Sequence, residues 1–233
     1  MSERLQQTQA MLAKHHRDGE RFAEMMKQTF ADRFNDLFWA EWDRWITPVY
    51  SDAPVVVDLG TGPGLFLNAL AERAPGIRAI GVECAPYMLQ AVGELPAGCE
   101  IISEDLHDPK LPLADNSIDA VNASVVLHEM SQPLRTLREV YRCLKPGGRF
   151  YIHDWVRAPL EVYIRAQTEE MRVFDDATPV DELEDLFIHF IEHNRFSRED
   201  LIYMLNMSGF AVLHSEISKE GRFAHIVAEK RAG

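Results

Sequence analysis

Two hydrophobic periods alternate along the chain, and the changes between them divide it into elements. Up to about residue 48 the apolar positions Phe22, Met25, Met26, Phe30, Phe34, Leu37 and Phe38 recur at helical spacing. Trp39, Trp42 and Trp45 continue that stripe, with Glu41, Asp43 and Arg44 between them. This predicts an N-terminal helical cap over 1–48, and two roles suit its tryptophans. They can dock the cap on the rest of the chain, or form an aromatic lid whose π-faces suit a sulfonium or ammonium cation. Docking is expected for most of the stripe, with one or two rings reaching a pocket.

From residue 49 onward short apolar runs alternate with amphipathic ones. Strands are predicted at Val55–Leu59, Ile77–Val82 running into Glu83, Cys99–Ser103, Ala120–Leu127 and Arg149–Trp155. Helices are predicted at Leu65–Arg73, from Pro86 onward, and at Pro133–Leu144, the last stopped by Lys145-Pro146-Gly147-Gly148. Residues 156–196 form an insertion, read as helices near 159–174 and 181–193 with Asp175-Asp176-Ala177-Thr178-Pro179 between them. Ser197-Arg198-Glu199-Asp200 opens another helix, which Gly209 closes. Residues 210–217 and 223–229 then read as a hairpin. Strands alternating with helices predict an α/β fold with a mostly parallel sheet.

The first strand decides the ligand class. Val55-Val56-Val57-Asp58-Leu59 runs into Gly60-Thr61-Gly62-Pro63-Gly64 and then a helix, the half of a βαβ unit that receives a nucleotide-like ligand. A dinucleotide fingerprint needs its third glycine at the position of Leu65; here it comes one residue early, at Gly64. No Lys followed by Ser or Thr is present in the turn, which excludes a P-loop. Asp58 would repel a phosphate. An acid before a glycine turn suits a ligand with an amino group and no phosphates.

The acid-x-Gly-x-Gly-x-Gly pattern resembles motif I of the class I S-adenosylmethionine (SAM)-dependent methyltransferases. Glu83, Ser103-Glu104-Asp105-Leu106, Asp119 and Leu144-Lys145-Pro146-Gly147-Gly148-Arg149-Phe150 follow in the order that family shows. The resemblance is strong over about 50–155 and weaker over 197–230. It implies a Rossmann-like seven-stranded, mostly parallel sheet with helices on both faces and an antiparallel last strand. The methyltransferase domain would span 49–233, with 156–196 as a helical insertion on the substrate side. SAM would be the cofactor and S-adenosylhomocysteine the product. Asp58, Gly60, Thr61, Gly62, Gly64, Glu83, Met88, Asp105, Leu106 and Ser124 would hold the cofactor. Among these, Glu83 would take the ribose hydroxyls, Asp105 the adenine amino group and the Leu106 backbone a ring nitrogen. Asp119 is expected to be structural. Phe38-Trp39-Ala40-Glu41-Trp42-Asp43-Arg44-Trp45 and His153-Asp154-Trp155-Val156-Arg157 also resemble methyltransferase domains of ovothiol-type thiohistidine biosynthesis, which would make the acceptor an imidazole nitrogen.

Ligands of doubly wound sheets bind beyond the carboxyl ends of the strands, which puts His128, Glu129, His153 and Asp154 near the reacting centre. His128, His153 and Asp154 are the catalytic candidates, with Glu129 behind them; a base matters only where the nucleophile must lose a proton. His189 and His193 share a helix face, but no third ligand has matching spacing, so a structural or surface role is expected and no metal is assigned.

Charge and composition narrow the partners. A net charge of −13 argues against a broad nucleic-acid footprint and slightly favours a small acceptor with a cationic or amine group, hence N-methylation. The start lacks an apolar secretory core, and no apolar run reaches membrane-spanning length. Three separated cysteines suit a reducing cytoplasm. A homodimer is compatible with the sequence but does not follow from it. Three rival readings remain: a non-catalytic SAM-binding partner subunit, transfer of a group other than methyl from SAM or a carboxylated SAM, and a nicotinamide oxidoreductase. The last is disfavoured by Leu65 and by the lack of a Tyr-x-x-x-Lys pair after the fourth strand.

Overall fold

The computed structural model describes residues 3–16, 18–167 and 178–231. Seven strands form one sheet in the order β3-β2-β1-β4-β5-β7-β6. These are β1 (Val55–Leu59), β2 (Arg78–Glu83), β3 (Cys99–Ser103), β4 (Ile118–Ser124), β5 (Leu144–Trp155), β6 (Phe210–Ser218) and β7 (Phe223–Lys230). β1 to β5 pair in parallel, and β7 lies antiparallel to both β5 and β6. This is the doubly wound Rossmann-like arrangement expected. The order reverses between β1 and β4, which fixes where a ligand crevice opens.

The cap is broken into four helices: α1 (Glu3–His16), α2 (Gly19–Gln28), α3 (Phe30–Arg33) and α4 (Asp36–Trp45). Asp18 and Asn35 cap α2 and α4 by accepting from backbone N–H groups one turn on. Trp39 and Trp42 pack with Phe38, Phe66 and Tyr151 against one sheet face, and Trp42 is 1% exposed. The Trp45 indole instead donates to Glu41 and stacks on His214. None of the three tryptophans lines the ligand cavity, which corrects the lid expectation: the stripe is consumed by docking, and Phe22, Phe30 and Phe34 reach the cavity instead. The helical period continues through all of them, but only the earlier turns overhang the crevice.

The central helices are α5 (Leu65–Arg73), α6 (Pro86–Gln90) and α7 (Leu134–Cys143). β4 stops three residues short of the predicted end at Leu127. Val125 takes a left-handed φ of 59°, and residues 127–129 coil into a 3-10 turn. The turn after α7 is pinned from below. Lys145 Nζ donates to both oxygens of Asp119 at 2.8 Å, while Asp119 also accepts from the Ser51 and Val55 amides. Asp119 is thus the brace between β1, β4 and the Lys-Pro-Gly-Gly turn.

The insertion contributes α8 (Leu160–Gln167) and α9 (Val180–His193); the rest of the first predicted insertion helix, and most of the acidic break after it, lie outside the described residues. α10 (Arg198–Met207) opens with a reciprocal capping box between Ser197 and Asp200, and Gly209 closes it at a φ of 99°.

Candidate active site

A cavity of about 760 Å³ opens beyond the strand ends at the switch point. Asp58, Gly60, Thr61, Gly62 and Glu83 form its floor. Gly60, Gly62 and Gly64 all take left-handed φ values, so the chain can turn sharply off β1 without Cβ strain. The Gly60 and Thr61 amides donate to the Val82 carbonyl and tie the turn to β2. Thr61 in turn rests on bare backbone: a Cβ at Gly81 would come within 2.5 Å of its Cγ2. Gly64 does not line the cavity. Its φ of 79° serves the start of α5.

Asp58 is buried and accepts from Asn122 Nδ2 at 2.7 Å. Burial, only partly offset by hydrogen bonds, raises its pKa to about 7. Arg33 of α3 also lines the cavity, close enough to Asp58 for their charges to interact. Its guanidinium donates to the Met26 carbonyl, while its buried Nε has no hydrogen-bond partner. Glu83 accepts from the amides of Gly62, Cys84 and Ala85 at 2.8–3.0 Å, which fixes its carboxylate across the mouth of the turn. Burial raises its pKa as well.

Farther along the wall, Asp105 accepts from Thr8 of α1 on one oxygen and from the His107 amide on the other. Burial pushes its pKa up, but these bonds and the His107 ring outweigh it and leave the group below the ordinary carboxylate range. Gln9 donates to the Cys84 carbonyl and Arg4 to the His107 carbonyl, so α1 lies across the ends of β2 and β3. Met88, Leu106 and Ser124 line the same cavity.

At the other end, His128 Nδ1 lies 2.6 Å from Asp154 Oδ1, and His128 Nε2 lies 3.3 Å from Glu129 Oε1. Burial pulls His128 down, but the Asp154 and Glu129 carboxylates outweigh it and raise its pKa to about 10. The ring is therefore an imidazolium at neutral pH. His153 lines the cavity too; burial and the nearby Lys219 lower it to about 4, so it is neutral. Asp154 does not line the cavity. It is fully buried behind His128, where it also accepts from the Val126, Leu127 and Trp155 amides. The reason is the strand period: His153 and Asp154 are neighbours on β5 and point to opposite faces. Asp154 thus stands behind His128 and off the cavity wall where it had been expected.

Residues 57–152 match the methyltransferase domain family. The chain carries a class I SAM-dependent methyltransferase domain. It is 34% identical over 107 residues to a demethylmenaquinone methyltransferase of Thermus thermophilus, covering 45% of this chain and 48% of that protein. A demethylmenaquinone methyltransferase of Symbiobacterium thermophilum is 28% identical over 224 residues, covering 78% of this chain and 86% of that one. A SAM-dependent methyltransferase structure from Aquifex aeolicus shares the fold at a TM-score of 0.62, with 18% identity, covering 91% and 98% of the two chains. The chain spans less than half the length of the Thermus protein, and 30% of another curated relative from Streptomyces fradiae.

SAM is the cofactor of this domain, and the residues present fit it. In front of the turn there is room, because a Cβ at Gly62 would meet only Met88 Sδ, at 3.8 Å. Asp58 and Arg33 offer opposite charges to the two ends of an amino-acid group, and the Arg33 Nε is a buried donor still lacking a partner. Glu83 and Asp105 stand at the ends of successive strands, as a ribose and a base require.

The structure also brings to this methyltransferase site residues that sequence reasoning left elsewhere. His189 and His193 of α9 line the cavity with Glu182 and Asp185, so of the structural or surface role expected for the pair the surface alternative is corrected. The His193 ring stacks on His128 with centroids 5.0 Å apart, and its Nδ1 lies 3.0 Å from the Tyr163 hydroxyl. Their spacing four apart was visible in the sequence; the face they turn was not, since it depends on where the insertion folds. Arg33, Lys219 and Asn122 were missed. Arg33 did leave a signal, a charge set between Phe30 and Phe34 in the apolar stripe.

Proposed function

We propose that this chain transfers the methyl group of SAM to a nitrogen of a small acceptor bearing a cationic or imidazole group. The observation that carries the proposal is the cavity lining, in which Glu129, Glu182 and Asp185 occur together with Trp155, Tyr163 and His193. Carboxylates and aromatic faces both favour a cation or a protonatable ring. SAM supplies an electrophilic methyl on a sulfonium whose leaving group departs as a neutral thioether, so no acid is needed there. Positioning then dominates the rate. His128, already protonated and with its two ring nitrogens facing Asp154 and Glu129, cannot take the acceptor's proton. Neutral His153, lowered to about 4, accepts a hydrogen bond and is a weak base. A nitrogen with a free lone pair suits this set better than a hydroxyl that must first be deprotonated. His153 and Trp155 on the wall, with Asp154 behind, belong to the segment that resembles thiohistidine methyltransferases, which favours an imidazole nitrogen as the acceptor atom. Arg33 would pair with the carboxylate of the donor's amino-acid end.

A second reading is carbon methylation of a quinol ring. The two demethylmenaquinone methyltransferases favour it, as does the apolar wall of Leu12, Phe22, Met26, Phe30 and Phe34. One experiment separates the readings. The chain is incubated with SAM and a panel of amines, imidazoles and quinols, with S-adenosylhomocysteine release measured and each methylated product located by NMR. Methyl on nitrogen supports the proposal. Methyl on ring carbon replaces it with the second reading. Tight SAM binding with no product from the panel or a metabolite extract points to a SAM-binding partner subunit.

A further inference from the structure

Outside the methyl-transfer cavity, three side chains from three elements converge where α4 meets the sheet edge. Glu41 of α4, His214 of β6 and His225 of β7 each place one possible ligand atom within 4.8 Å of the others. None of the three lines the cavity. The Nε2 atoms of His214 and His225 are both buried without a hydrogen-bond partner, and His225 as a residue is only 9% exposed. A buried polar atom without a partner is costly, and two imidazole nitrogens in one cluster ask for a shared ligand.

The surroundings hold these groups in place. The Trp45 indole donates to Glu41 Oε2 at 2.9 Å and its ring stacks on His214, 5.3 Å between centroids. Tyr151 packs on the His225 ring at 4.4 Å. Such contacts fix the rotamers of would-be ligands, as outer-shell partners do in metal sites. Glu216 lies 3.7 Å from His214 Nε2 and can swing in as a further oxygen ligand.

We propose that Glu41, His214 and His225 bind one divalent transition-metal ion of the zinc class. Two imidazoles and a carboxylate form a recurrent zinc ligand set, whereas calcium and magnesium take oxygen ligands. Ligands about 2 Å from a tetrahedral ion stand roughly 3–4 Å apart, so atoms already within 4.8 Å of one another need only draw in slightly around an ion. The ion would fasten the N-terminal cap to the β6–β7 edge.

The test uses untagged, chelator-stripped full-length chain, with Glu41→Gln and His214→Gln variants. Zinc chloride is titrated by calorimetry and cobalt chloride by visible absorption, with SAM affinity as a check on folding. The wild type should take one equivalent of zinc, show a raised Tm and give the intense cobalt bands of four-coordinate nitrogen and oxygen ligation. Each variant should bind at least tenfold more weakly while holding SAM as before. Zinc binding that both variants retain overturns the assignment. A weak, six-coordinate aqua-type cobalt spectrum, or no zinc uptake by the wild type, overturns it too and leaves an ordered water between the rings. The wild-type cobalt spectrum stands as a test even where a variant fails to fold.

Discussion

His128 and Asp154 form a buried pair in which a protonated ring, 2.6 Å from its carboxylate, is also held against Glu129. Breaking a buried pair by removing one charge leaves the other uncompensated, at a cost of ~3–5 kcal/mol. Asp154→Asn should therefore lower the unfolding free energy by about that amount at pH 6. The pH dependence has a definite sign. The folded pKa of His128 is raised to about 10, so the stabilisation is complete below the ordinary value of about 6.5 and is lost as pH rises through 10. Urea unfolding of wild type and variant from pH 6 to about 10 should show the gap narrowing. A gap that widens with pH would mean the ring is neutral in the fold.

Asp58 predicts a pH effect on cofactor binding. Its pKa is raised to about 7, so in neutral solution the carboxyl is about half protonated before the cofactor arrives. Holding an ammonium group needs the ionised form. SAM affinity should rise between about pH 6 and 8 and then level off. Calorimetry across that range should show the rise, and Asp58→Asn should bind weakly with little pH dependence.

Glu83 holds three backbone amides as well as facing the cavity. Glu83→Ala should weaken SAM binding roughly tenfold or more and cost about 1–3 kcal/mol in stability, because those amides lose their acceptor. Glu83→Gln, which keeps one oxygen, should fall between the two. Equilibrium dialysis and thermal unfolding read the two effects separately.

Trp42→Ala should separate docking from catalysis. The indole is buried, and its Nε1 donates to the Tyr50 hydroxyl at 2.9 Å. Truncation should cost ~3–5 kcal/mol of stability. SAM affinity, measured well below the variant's Tm, should stay within about twofold, because the ring does not touch the cavity.

The parts of the site legible in the sequence are those carried by strand ends. Asp58, Glu83 and Asp105 each follow a short apolar run, and a parallel sheet delivers such residues to one edge whatever else the chain does. Side chains brought in from outside the sheet were harder to read. Arg33 arrives on a four-residue helix, and Asp185 and His193 on an insertion whose position depends on tertiary packing. Asp154 was legible and misread: alternation along β5 already required that it and His153 could not both face the ligand. The tryptophan stripe docks as expected, and only the rings expected to reach the pocket were misplaced, since helical spacing identifies a buried face without saying what covers it.

The close fit between Thr61 and the bare backbone at Gly81 links a residue of the turn after β1 to one inside β2. A side chain at 81 would meet Thr61 at its Cβ as well as at its Cγ2, within 2.9 Å and 2.5 Å. Shortening Thr61 to serine or alanine would not relieve that overlap, because the offending Cβ remains. The two sites thus amount to one steric decision. Descendants of this chain can lose Gly81 only along a mutational path that first removes the side chain at 61 or lifts the turn off β2, and lifting the turn would also move the floor on which the donor lies.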